Sequence, residues 1–128
     1  MNNIRVLIVD DVSDMRNLLA SSLRNLDISN IIEAKNSADA IEVYQNKEID
    51  IVFLDLHMPK IDGFEALREI RKINPIAFIV IVSGEHSIDN VKKAIKLGAN
   101  GFIMKPFKLG KLQEMIEKYT AERLNTEH

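Results

Sequence analysis

Asp10-Asp11, Asp55, Ser83 and Lys105 are scattered along the chain, yet all stand in the same local context. Each directly follows a short apolar run: Val6 to Val9, Ile51 to Leu54, Phe78 to Val82, and Phe102 to Met104. A carboxylate at the end of a buried segment is costly unless it is paired or coordinates a cation. Taken singly, each residue has an ordinary explanation. Asp10 or Asp11 could cap a helix, Asp55 could start a turn toward Pro59, Ser83 could be a turn hydroxyl, and Lys105 a solvated charge. Gathered in one cleft, they become a site. Two like charges about 4 Å apart repel by ~4 kcal/mol at an effective dielectric of about 20. Three carboxylates therefore need more positive charge than one lysine brings, and a divalent cation supplies it. With oxygen donors and no cysteine in the chain, such a set suits Mg²⁺, which keeps several waters and accepts phosphate oxygens.

The elements that must position these groups follow from the apolar pattern. The four runs are rich in β-branched residues and do not alternate with polar ones, as expected of strands covered on both faces. Ile31-Ile32-Glu33-Ala34 is a weaker fifth strand. Between the runs lie helix-period segments. Met15, Leu18, Leu19, Ser22, Leu23 and Leu26 follow a Ser13 cap, and Ala40, Ile41, Val43 and Tyr44 follow a Ser37 cap. Phe64, Leu67 and Ile70 precede the stop at Pro75. Ile88, Val91, Ala94 and Ile95 lead to a Gly98 C-cap, and Leu109, Leu112, Ile116 and Tyr119 mark the last helix, with Gly110 weakening its start. The order is (βα)5. Right-handed crossovers turn it into a doubly wound, five-stranded parallel sheet with helices on both faces. Ligands bind such sheets beyond the carboxyl ends of the strands, where strand order reverses.

Composition sets the outer bounds. The chain has 128 residues, 46% hydrophobic and 28% charged, with net charge −2. That fits one α/β domain with a proper core. It gives no reason to expect nucleic-acid binding or a membrane surface. The first residues lack a signal-peptide pattern, and no apolar stretch nears the roughly 20 residues of a spanning helix. A cytoplasmic protein is the expectation.

The segments VLIVDD, VFLDLHMPKIDGFEAL, IVIVSG and GFIMKPF, in this order and spacing, resemble the receiver domain of bacterial response regulators, of the stand-alone CheY-like type. The resemblance spans essentially the whole chain. It implies a flavodoxin-like sheet of strand order 2-1-3-4-5, for which CheY is itself a standing example. The receiver would occupy residues 1–124. Residues 125–128 would be a polar tail, which an added expression segment would also explain.

By this resemblance Asp55 is the phosphoacceptor, taking a phosphoryl group from a phosphohistidine. Asp10 and Asp11, with Asp55 and the backbone carbonyl of His57, hold Mg²⁺, for which Mn²⁺ can substitute. Lys105 and Ser83 contact the phosphoryl oxygens, and small Gly84 leaves them accessible. The Lys105-Pro106 bond is cis. Ser83 and Phe102 form a switch acting on an output face made of the fourth helix, fifth strand and fifth helix. His57 and Glu85 tune the lifetime of the aspartyl phosphate. The implied partners are a sensor histidine kinase or histidine phosphotransfer domain and a downstream protein on the output face. The protein would be a monomer or weak dimer and would catalyse only its own phosphorylation and dephosphorylation. Lys92, Lys93, Lys96, Lys108 and Lys111 read first as a solvated face and second as a docking surface for an acidic partner.

Rival readings meet specific obstacles. A haloacid-dehalogenase-type phosphatase needs a second aspartate two residues after the first, where this chain has His57. A flavodoxin-type carrier needs a phosphate loop after the first strand, where Asp10-Asp11 would repel the phosphate. A receiver excised from a larger regulator with a separate output domain is the alternative.

Overall fold

The computed structural model describes residues 3–56, 63–84 and 88–126. In chain order they form β1 (Arg5–Val9), α1 (Ser13–Asn25), β2 (Asn30–Ala34), α2 (Ser37–Asn46) and β3 (Ile51–Asp55). Then come α3 (Gly63–Ile73), β4 (Phe78–Ser83), α4 (Ile88–Lys96), β5 (Gly101–Met104) and α5 (Leu109–Thr126). The strands pair in parallel in the order β2-β1-β3-β4-β5, as expected. The backbone of α5 runs to Thr126, into the polar tail.

The runs of β1, β3 and β4 fail to alternate because both of their faces are buried. Leu7, Val9, Val52, Leu54, Ile79 and Ile81 pack with Tyr44, Leu67, Ile70 and Ala94, from the α2, α3 and α4 side. Val6, Ile8, Phe53, Val80 and Val82 pack with Leu19 and Leu23 of α1 and Leu112 of α5. Each such side chain contributes roughly 1.5–3 kcal/mol when fully buried. Two consecutive residues thus serve two different cores.

The helix starts differ from expectation. Val12, not Ser13, is the N-cap of α1 and makes no side-chain cap bond. The turn is closed from upstream instead, where Asp10 Oδ1 accepts the Val12 N–H at 2.9 Å. Asn36, not Ser37, caps α2, accepting the Asp39 N–H at 2.7 Å, while Ser37 is buried in the first turn. The Gly98 C-cap is present: its φ is +99°, and Ala99 N–H donates to Ala94 O at 2.9 Å. The apolar stripe of α4 does not all face inward. Ala94 is buried, but Ile88 and Ile95 are 72% and 63% exposed.

Two contacts hold the carboxyl and amino ends of the sheet respectively. Gly63 opens α3 so close to β3 that an added Cβ would lie 2.2 Å from Asp55 O. At the other end, Arg71 of α3 donates to Pro75 O at 2.9 Å, Ala77 O at 2.7 Å and Asn100 Oδ1 at 3.0 Å, and also to Gly98 O. Asn100 Oδ1 takes the Ile79 N–H as well, at 2.8 Å, so one guanidinium fastens α3 to β4 and to the turn before β5.

Candidate functional site

The strand register brings the sequence-distant acids together. Val9 of β1 lies opposite Leu54 of β3, so Asp10 and Asp55 follow level with each other on adjacent strands. β1 connects through α1 to β2 on one side and neighbours β3 on the other. The two aspartates therefore flank the point where strand order reverses. Side-chain alternation fixes the direction. Ile8, Phe53 and Ile103 all belong to the α1/α5 core, and Asp10, Asp55 and Lys105 come two residues after each.

Asp10, Asp11 and Asp55 each offer a carboxylate oxygen, and these oxygens all lie within 4.8 Å of one another. Asp10 and Asp55 are buried, and Asp11 is exposed. Lys105 Nζ stands 3.0 Å from Asp10 Oδ2 and 3.7 Å from Asp55 Oδ1, with its side chain 18% exposed. Among the described residues, the Lys105 ammonium lies within 4 Å of two of the three carboxylates, and the cluster is acidic on balance. The donors are all oxygen, and an exposed member gives access from solvent. The cluster fits a Mg²⁺ site.

Ser83 is fully buried at the end of β4, and its carbonyl accepts the Lys105 N–H at 2.9 Å. The Lys105-Pro106 bond is cis, as expected. Gly84 is exposed, and a Cβ there would meet nothing within 4 Å. Phe102 is half-buried against the core of the α2/α3/α4 side. His57, with its backbone carbonyl, and Glu85 lie outside the described residues. Among the lysines read as a group, Lys93 lies 4.3 Å from the Phe64 ring centroid and Lys111 pairs with Glu114 at 3.3 Å.

Sequence reasoning missed two residues. Arg16 of α1 donates through Nη1 to Asp10 O at 2.7 Å and through Nε to Glu33 Oε1 of β2 at 3.1 Å. An arginine off the apolar stripe of a helix reads as a solvated charge, and nothing in the pattern links it to position 33. Among the described residues, no helix is long and apolar enough to cross a membrane.

The fold and the pocket define a doubly wound α/β domain with an acidic, oxygen-lined site at its switch point. The family model for the response regulator receiver domain matches residues 6–117. The chemotaxis protein CheY of Thermotoga maritima is 40% identical over 114 residues, covering 89% of this chain and 95% of that protein. CheY of Listeria monocytogenes is 37% identical over 115 residues, covering 90% and 97%. The crystal structure of a response regulator receiver domain protein from Clostridium thermocellum matches with a TM-score of 0.88 at 28% identity, covering 96% of this chain and 98% of that one. The chain belongs to the response regulator receiver family, the phosphorylation-dependent switches of two-component signalling.

Proposed function

We propose that Asp55 is the phosphoacceptor of this receiver. The observation that carries the reading is the convergence of three carboxylates, with ligand oxygens within 4.8 Å, beside the Lys105 ammonium. An Asp55 oxygen forms a P–O bond to the phosphorus of a phosphohistidine as the P–N bond breaks, and the imidazole leaves. The product is an aspartyl phosphate. Asp10, Asp11, Asp55 and the His57 carbonyl would hold Mg²⁺, or Mn²⁺ in its place, and the bound ion would neutralise charge on the transferring phosphoryl oxygens. Lys105 is already within reach of Asp55 and pairs with one phosphoryl oxygen. Ser83 gives its hydroxyl to another. Open space at Gly84 keeps the approach clear.

The donor is a sensor histidine kinase or histidine phosphotransfer domain, encountered in the cytoplasm. Movement of Ser83 toward the phosphoryl group and of Phe102 into the vacated space alters the face formed by α4, β5 and α5. Ile88, Ile95 and Met104 are exposed on these elements, which supports their meeting a downstream protein. The test is incubation with a small phosphodonor and Mg²⁺, with intact mass measured for the wild type and Asp55→Asn. One phosphoryl adduct on the wild type alone is expected; an equal adduct on both would overturn the assignment.

A further inference from the structure

Asp10 is restrained at every polar atom it has. Its N–H donates to Ala34 O at 3.1 Å. Its carboxylate accepts the Val12 N–H at 2.9 Å and the Lys105 ammonium at 3.0 Å. Its carbonyl accepts from Arg16 at 2.7 Å. Asp11 is different. It is exposed, and its side chain makes no hydrogen bond or ion pair among the described residues. Its carboxylate is nonetheless within 4.8 Å of the other two, so its direction depends on how its backbone is set.

We propose that Arg16 is a positioning residue that holds the Asp10–Asp11 peptide so that the Asp11 carboxylate meets a cation shared with Asp10 and Asp55. The peptide unit is planar, so fixing the Asp10 carbonyl fixes the Asp11 nitrogen and the orientation from which its side chain departs. Arg16 is itself aimed by Glu33, at 3.1 Å. Glu33 immediately precedes Ala34, whose carbonyl takes the Asp10 N–H. One guanidinium fork thus joins α1, β1 and β2 at the metal-facing turn. Partners one step behind the ligands commonly govern metal affinity in this way. The proposal rests on the Mg²⁺ reading above.

Charge and position make opposite forecasts here. As a mere cation, Arg16 would repel a metal ion, and its removal would tighten binding. As a positioning residue, its removal weakens binding. The test is a Mg²⁺ titration of ¹⁵N-labelled wild type, Arg16→Met and Arg16→Lys, following the amide shifts of Asp10, Asp11 and Asp55. Arg16→Met is expected to raise the Kd for Mg²⁺ roughly tenfold. Arg16→Lys should fall between, because it keeps the charge and one donor but not the fork. Met-variant affinity equal to or tighter than wild type overturns the proposal. If Arg16→Met does not fold, Arg16→Lys decides: weaker binding supports the proposal and unchanged binding overturns it. A wild type whose three amides ignore Mg²⁺ overturns the metal reading as well, whereas a wild type and variants that bind Mg²⁺ equally tightly overturn only the role of Arg16.

Discussion

Replacing Asp55 by Asn should stabilise the metal-free protein. The carboxylate oxygens of Asp10, Asp11 and Asp55 lie within 4.8 Å of one another. At that distance and an effective dielectric of about 20, each pair repels by about 3.5 kcal/mol. Against this, Lys105 Nζ at 3.7 Å from Asp55 Oδ1 attracts by about 4.5 kcal/mol at the same dielectric. Of these three interactions, two repulsions and one attraction leave Asp55 unfavourable by about 2–3 kcal/mol. Water screens the exposed Asp11, which reduces the expected gain to about 1–2 kcal/mol. Asparagine keeps the shape and one acceptor oxygen, so no cavity offsets that gain. For a domain of this size the melting temperature should rise by roughly 3–6 °C in EDTA. Mg²⁺ at about a hundred times its Kd should add about 2.7 kcal/mol to the wild type. The variant, with one candidate ligand fewer, should gain less, so the difference shrinks or reverses. Calorimetry or circular dichroism melts of both proteins, with EDTA and with Mg²⁺, measure all four numbers. A variant less stable than wild type in EDTA, or equal Mg²⁺ gains, would refute the electrostatic reasoning.

Two further outcomes concern the opposite end of the sheet. Arg71→Met should lower stability by about 2–4 kcal/mol in urea unfolding, because the carbonyls of Pro75, Ala77 and Gly98 and the Asn100 side chain lose a shared donor; an unchanged midpoint would show that these acceptors are rehydrated freely. Burial, with the Asp50 carboxylate adding to it, pushes the Tyr119 phenol up from 10.0 to about 12. The unfolded chain then ionises first, so stability present below the ordinary tyrosine range is lost as pH climbs through about 10 to 12. Urea midpoints across that range should fall for the wild type and fall less for Tyr119→Phe; parallel curves would remove Tyr119 from the account.

Much of the candidate site was legible because Asp10, Asp55 and Ser83 stand at the ends of strands whose burial on both faces leaves a continuous apolar run. Val6 to Val9 and Ile51 to Leu54 mark their own ends, and a charge just beyond each end is conspicuous. Two helix caps were misread, at Ser13 and Ser37. Both serines are good capping types, but α1 starts one residue earlier, from the Val12 carbonyl that accepts the Met15 and Arg16 N–H groups, and Asn36 takes the Asp39 N–H that caps α2. The helical period of α4 was right, yet its apolar stripe is only partly covered, with Ala94 buried and Ile88 and Ile95 exposed. Periodicity reports that one face is apolar, and only packing reports whether anything covers it.

From the order of its residues alone, this chain set the number and kind of its elements, their parallel pairing and the acids at their ends, since these follow from local periodicity and short connections. Only the tertiary structure decided that Val9 sits level with Leu54 and that the Asp10, Asp11 and Asp55 oxygens fall within 4.8 Å. It alone seated Lys105 between Asp10 and Asp55 and joined Arg16 to both Glu33 and the Asp10 carbonyl. Register and side-chain reach belong to pairs of residues far apart in the chain, and no local pattern encodes the distance between them.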